Sequence, residues 1–406
     1  MKSEQHNRKM RTVFLSMSVI MIIVSAFILS PYLFPKNNQE VIDEKQVDDV
    51  EDIISYELKK SITKLSPILN ITVLDKDGNI KSQQIKEDDL VLENFLKFFV
   101  ALLWDPDYNH RHASLYDTGG TLRTFAIYDS VCGSPGWSSG CYMFNKAVTG
   151  AGGFIGIGNG TTAPTRQDYN LESQQETYIA ISDPEYFGGL LSMSASWSVS
   201  SNYSVSEVVF VENWGSTANV RYDVALLRDI FTPVSVVTGD QIFASYNIWL
   251  NNTGFTNNFG LFLQSLFEDG GVGRTFVMID VGGTTRTFYN YFDYVNTATT
   301  FHWNYYTGRV YIAVGENSSI SRSNHELTDM VGSYIGVSQP TQNTSAVILS
   351  ASQIMTGTYD IDVAGLFVKW ADTSSGLRTV MFWALNFTSV SVYAGYTTTV
   401  SFRLLT

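Results

Sequence analysis

Gly119-Gly120-Thr121-Leu122-Arg123-Thr124-Phe125 returns in the second half of the chain as Gly282-Gly283-Thr284-Thr285-Arg286-Thr287-Phe288, and this echo decides the fold. A second pair extends it: Phe231-Thr232-Pro233-Val234-Ser235-Val236-Val237-Thr238-Gly239 matches Phe387-Thr388-Ser389-Val390-Ser391-Val392-Tyr393-Ala394-Gly395 at six of nine positions. Between them, Gly158, Arg166 and Leu171 answer to Gly315, Arg322 and Leu327 in the same order. A period of roughly 160 residues is too long for a solenoid repeat and normal for a domain. The chain is a tandem duplication.

Around the echoes, apolar and polar residues alternate as in half-buried strands. Leu122 to Asp129, Tyr178 to Ile181, Val208 to Val211 and Val220 to Leu227 read so in the first copy. Phe276 to Val281, Val310 to Val314, Ala346 to Leu349, Thr379 to Ala384 and Val400 to Leu404 read so in the second. Each copy opens on a compact apolar segment, Phe95 to Trp104 and Phe259 to Phe267, which runs without gaps into its Gly-Gly-Thr anchor and reads as a buried helix of two to three turns. The expected class is mainly β: two tandem antiparallel β-sandwiches of jelly-roll type, at 93–253 and 254–406.

The N-terminal part is different material. Thr12 to Phe34 carries no charge and as a helix reaches about 34 Å, enough to cross a bilayer. Lys2, Arg8, Lys9 and Arg11 precede it, and Glu40, Asp43 and Glu44 follow, which places the N-terminus in the cytoplasm and the bulk outside. Residues 1–36 therefore read as tail and single-pass anchor. A cleaved signal peptide with its cut near Ser25-Ala26 or Ser30 is the alternative, and the product is extracytoplasmic either way. Residues 37–92 read as a helical stalk and a small hairpin. Val47, Val50, Ile54, Leu58, Ile62 and Leu65 form the helical stripe, a lone amphipathic helix or a short coiled coil. Asp75-Lys76-Asp77-Gly78-Asn79 is a turn between Ile71, Val73 and Ile80.

A formal charge of −13 and the lack of a basic stripe speak against nucleic acid as partner. Cys132 and Cys141, the only cysteines, bracket a Pro-Gly turn and suit a local disulfide in an oxidising compartment. Asn70, Asn159, Asn202, Asn251, Asn317, Asn343 and Asn386 head seven sequons, all beyond the apolar run, and are the glycosylation candidates.

Each motif that suggests chemistry has a plainer structural account. Gly136-Trp137-Ser138-Ser139-Gly140 matches a nucleophile elbow in pattern only, since it sits between the cysteines instead of in a strand-turn-helix. His110 and His112, with Asp105 and Asp107, lack ligands at the matching positions of the second copy, and His302 and His325 are isolated. Gly150 to Gly153 and Gly156 to Gly160 lack the Lys-Ser/Thr of a phosphate loop and read as strand-end glycines. Arg123, Arg286, Arg166 and Arg322 read as turn-pinning residues. The expectation is a protein with no catalytic set, cofactor or metal.

Gly156-Ile157-Gly158-Asn159-Gly160-Thr161-Thr162-Ala163-Pro164-Thr165-Arg166-Gln167-Asp168-Tyr169-Asn170-Leu171-Glu172 resembles a Gly-Thr-rich motif of β-rich structural modules of phages, archaeal viruses and related surface proteins. The second copy departs from it, with Ser318-Ser319-Ile320-Ser321 in place of Thr-Thr-Ala-Pro. The resemblance implies a virion or cell-surface component that self-associates or joins a surface lattice. A glycan- or receptor-binding module is the second expectation, with Trp137, Trp303 and Tyr305, joined by Tyr289, Tyr291 and Tyr306, available to stack on sugar faces. An exported hydrolase built on Ser138 is the third.

Overall fold

In the computed structural model, the described residues are 55–65, 67–87, 90–103, 110–129, 152–182, 184–215, 220–250, 254–267, 275–289, 310–316, 321, 323–327, 329–338, 340–342, 346–372 and 377–405. The chain from Ile53 to Thr406 is one compact unit. It is mainly β, with two helices among the described residues, α1 (Glu93–Leu103) and α2 (Asn257–Phe267). Among the described residues no helix is long and apolar enough to cross a membrane, and Thr12–Phe34 lies outside them.

The duplication recurs element by element. In the first copy β7 (Gly153–Gly158), β11 (Tyr203–Gly215) and β12 (Arg221–Val236) are neighbours in one antiparallel sheet, and β10 (Leu190–Ser198) pairs with β13 (Gln241–Trp249) in another. In the second, β16 (Val310–Gly315), β20 (Tyr359–Ala371) and β21 (Leu377–Val392) repeat the first set, and β19 (Ala346–Ile354) with β22 (Thr397–Leu405) repeats the second. A two-stranded hairpin follows each helix: β5 (His110–Tyr116) with β6 (Leu122–Asp129), and β14 (Thr275–Ile279) with β15 (Thr285–Tyr289).

The strict alternation of β13 buries Ile242, Ala244, Tyr246 and Ile248 against Phe210 and Val208 of the facing sheet. The Tyr246 hydroxyl, buried with its ring, donates to the Val208 carbonyl at 3.2 Å across the gap. In the second copy Trp383 meets Phe402 at 5.0 Å between ring centroids. One apolar cluster runs through both copies, so the interior is continuous.

The second echo encodes a bulge. Val205 pairs with Val234 and Glu207 with Ile230, leaving Phe231-Thr232-Pro233 opposite the single residue Ser206. Ile361 pairs with Val390 and Val363 with Asn386, leaving Phe387-Thr388-Ser389 opposite Asp362. A bulge of this kind bends the strand and raises its twist, which accounts for its recurrence in both copies.

The helices tie the copies together reciprocally. The first packs on β5 and β12 of its own copy and reaches β18 (Thr341–Gln342) and β19 of the other. The second packs on β14 and β21 and reaches β9 (Glu185–Phe187) and β10. Phe99 of α1 meets Phe259 of α2 edge to face at 6.0 Å, and Phe267 meets Phe210 of the first copy at 5.1 Å. The ring of Tyr186 lies where a Cβ on Gly260 would sit, 2.2 Å from it, and the Tyr186 hydroxyl donates to Asn257 Oδ1 at 2.9 Å.

Two expectations need correction. Residues 55–64 are not helical: Ser55–Lys64 is β1, parallel to β22 in register from Ser55 opposite Thr397. Ile54, Leu58 and Ile62 lie four apart, a spacing that fits one helix face and one strand face equally, and the ladder that the edge of β22 offers decides for the strand. Residues 55–91 are also no separate stalk module. Pro67–Leu74 is β2, which pairs with β13 on one side and with β3 (Ile80–Lys86) on the other. Leu65, Leu69, Ile71, Val73 and Val91 lie in the main core. The rest of the helical stripe, 37–54, lies outside the described residues.

Candidate functional site

Each echo is a hairpin clamp built on an aspartate. Asp117 and Asp280 stand two residues before the paired glycines. Asp117 Oδ1 accepts the Thr121 N–H at 2.8 Å and Oδ2 accepts Arg123 Nε at 2.7 Å. Asp280 repeats this with Thr284 at 2.9 Å and Arg286 at 2.6 Å, and also accepts from Gly282. Gly120 and Gly283 take φ of 76° and 73°, a conformation that only glycine adopts without strain. Burial alone would raise the Asp280 carboxyl, but Arg286 and the two backbone N–H groups hold it below its ordinary value. A third Asp-x5-Arg pair, Arg378 Nε on Asp372 Oδ2 at 2.7 Å, lies between β20 and β21.

The helices are tied in by asparagine. Asn94 donates to the Tyr116 and Ala225 carbonyls and accepts from Tyr116 N, while Asn258 does the same with Ile279 and Met381. Asn94 and Asn258 are spaced one position further apart than the two Gly-Gly-Thr anchors, so a residue was gained or lost between helix and anchor, which corrects the gapless match expected there.

The segment 156–172 closes over a buried ion pair that the second copy does not carry, having Val363 and Ala384 in its place. Glu207, fully buried on β11, accepts from Gly160 N and Ser173 N at 2.8 Å each through Oε1. Its Oε2 accepts from Glu172 N and from Arg228 Nη2, at 2.9 Å each. Arg228 also holds Asp168, whose carboxylate accepts from the Thr165 hydroxyl and N–H. Burial alone would pull the Arg228 guanidinium down, and these two carboxylates keep it raised. Glu172 accepts from Thr161 N, Thr162 N and the Thr162 hydroxyl, and the Thr162 bonds lower its pKa. The glycines are explained by space. A Cβ on Gly158 would stand 2.4 Å from Glu207 Oε1, one on Gly160 2.6 Å from it, and one on Gly156 2.4 Å from the Tyr178 ring. Burial pushes the Tyr178 hydroxyl up to about 12.

Of the residues singled out in the sequence, Arg123 and Arg286 pin turns as expected, and the glycines of 156–160 belong to a strand and the loop that leaves it. His112 is exposed, and the register shifts between Arg111 and His112, which breaks the regular alternation assumed for the histidine pair. His325 lies half-buried beside Gly283. Asn159, Asn202 and Asn386 are exposed. Asn202 Oδ1 accepts the Thr238 N–H at 3.1 Å, and the Asn70 amide oxygen is buried without a partner among the described residues. Cys132, Cys141, Trp137, Ser138, Asn251, His302, Trp303, Tyr305, Asn317, Arg322 and Asn343 lie outside the described residues.

Sequence reasoning missed Asp117, Asp280, Glu207 and Arg228. The aspartates were legible as an extension of the echo by two residues. Glu207 was legible as a charge inside the apolar run Val205 to Val211, where a buried carboxylate requires a partner. These clamps and the ion pair engage the protein's own backbone and side chains, so what they do chemically is fix loops. No protein-family model, curated protein or solved structure matches the chain.

Proposed function

We propose that the chain is a membrane-anchored, outward-facing structural or attachment protein, a spike or turret component of a virion or cell surface, built from a duplicated β block. One observation carries this reading: three polar pairs common to both copies, Asn94 with Asn258, Asp117 with Asp280 and Arg123 with Arg286, hold a helix or a hairpin in place. A duplicated enzyme active in both copies would repeat its reactive set at matching positions, whereas the residues named here as retained twice are those of a scaffold. The uncharged run from Thr12 to Phe34, with its basic flank, supports the anchor, and the single continuous core supports a stiff projecting unit.

The test is fractionation of the full-length chain from its native host, with protease treatment of intact cells and of any released particles. Retention of the chain in the membrane pellet after alkaline carbonate, with digestion from outside, is expected. Release by carbonate, or protection from external protease, would refute the anchor and its orientation. A chain recovered only as a free monomer, in neither envelope nor particle, would refute the structural role.

A further inference from the structure

The two copies treat one strand edge differently. In the first copy the bulged half of β12 is gripped from the N-terminal hairpin: Gln84 of β3 donates to the Thr232 carbonyl at 2.8 Å and accepts the Thr232 N–H at 3.0 Å. At Thr232 a side-chain amide does what a neighbouring strand would do. The matching residue in the second copy is Thr388, and β21 is the last strand of its sheet. Among the described residues, Phe255 bridges to Trp383, Thr256 N bonds the Phe382 carbonyl and Ala384 N bonds the Gly254 carbonyl, so that half of β21 is covered. No described strand forms a ladder with the outer side of 386–392, although β1, the edge strand of the neighbouring sheet, comes close to β21.

That stretch, Asn386-Phe387-Thr388-Ser389-Val390-Ser391-Val392, carries no charge and is rich in β-branched and hydroxyl residues. Such an edge recruits another strand unless something blocks it. Charge, proline or a bulge is the usual block, and the bulge is common to both copies. Proline stands in the first copy's bulge as Pro233, but the second copy has Ser389 there. What the second copy has instead is a sequon. Asn386-Phe387-Thr388 replaces Ile230-Phe231-Thr232, and both Asn386 and Thr388 are exposed while Phe387 packs against the core.

We propose that Asn386 carries an N-linked glycan that covers the open edge of β21, in the place that Gln84 fills on β12. The reaction joins Asn386 Nδ2 to the anomeric carbon of a polyprenyl-phosphate-linked sugar. The lipid phosphate departs with the bonding pair, and the Nδ2 proton passes to a base of the transferase. The inference rests on the outward orientation proposed above, because the donor and the transferase face that side.

Full-length chain from the native host is digested, and the peptide containing Asn386 is analysed by mass spectrometry, before and after enzymatic or chemical deglycosylation. A hexose- or hexosamine-containing mass on that peptide is expected. An unmodified Asn386 peptide from a chain that external protease can reach overturns the proposal and leaves the orientation standing. Protection from external protease instead overturns the orientation. The Asn386→Gln chain, in mild detergent, is then compared with the wild type by sedimentation. Loss of one glycan mass together with at least a several-fold larger associated fraction is expected. A modified Asn386 whose replacement leaves association unchanged overturns the covering role, and Thr388→Ala, which also abolishes the sequon, must reproduce the Asn386→Gln result.

Discussion

Replacing Glu207 by Gln keeps the shape of the side chain and removes its charge, in a site where every neighbour is a hydrogen-bond donor. Each carboxylate oxygen faces two of them: Gly160 and Ser173 on Oε1, Glu172 and Arg228 on Oε2. Whichever way the amide turns, its NH2 meets two N–H groups, so at least one buried donor loses its acceptor. Removing one member of a buried ion pair typically costs about 3–5 kcal/mol, and an orphaned donor about 1–3 kcal/mol, terms that overlap. Asp168 still binds Arg228, which puts the expected loss near the lower bound, about 3 kcal/mol.

If the loop opens by itself, that loss appears locally. Amide exchange in peptides covering 159–175 should accelerate about a hundredfold, since every 1.4 kcal/mol is a factor of ten. If opening is global, the melting temperature should fall by roughly 5 °C. The second copy shows how the pair can be dispensed with, since Val363 and Ala384 occupy the matching positions and pack with Leu327. Glu207→Val combined with Arg228→Met should therefore be less damaging than the sum of the single changes, with a coupling of at least about 1.5 kcal/mol. Glu207→Gln with wild-type exchange across 159–175 and an unchanged melting temperature would refute the reasoning.

Gly260→Ala separates two opposed effects: in an open helix it should stabilise by up to about 1 kcal/mol, but here its Cβ meets the Tyr186 ring, so a net loss of about 1–3 kcal/mol is expected in urea titration. A neutral or stabilising result would mean that β9 does not press on α2. The depressed Asp280 carboxyl implies that the folded state binds fewer protons than the unfolded chain. Its stabilisation is then complete above the ordinary aspartate value of about 3.9 and fades as pH falls through the depressed value. Between pH 6 and pH 3 the urea midpoint of the wild type should drop more steeply than that of Asp280→Asn, and parallel declines would contradict the clamp.

The β class, the duplication and both buried helices were legible because they rest on periodicity and on residues kept twice. The strand at 55–64 was not legible, because a four-residue apolar spacing does not distinguish helix from strand and the deciding partner, β22, lies at the opposite end of the chain. The clamp aspartates were visible in outline, since the echo Asp-x-Gly-Gly-Thr-x-Arg includes them, but only the geometry shows that the carboxylate ties the arginine to the turn. The Glu207–Arg228 pair was least legible. It occurs in one copy only, its members lie on different strands, and residues that the copies do not share leave no echo.

That asymmetry bears on how the duplicated block diverged. Hairpin clamps and helix ties are kept in both copies because a β block with a loose hairpin or helix exposes core, whatever the copy does. The loop over the outer face of β11 or β20 must be held down too, yet by no particular chemistry. In one copy an ion pair and a carboxylate cradle hold it, and in the other Val363, Phe367 and Leu327 do so by apolar contact. An ion pair in such a place is worth little more than well-packed carbon in net stability. What it adds is direction. Glu207 fixes the N–H groups of Gly160, Glu172 and Ser173 at once, so the path of the loop between them is set by hydrogen-bond geometry and not by packing alone. The first copy therefore presents a loop of one defined shape, and that is the surface on which selection for a specific contact would act.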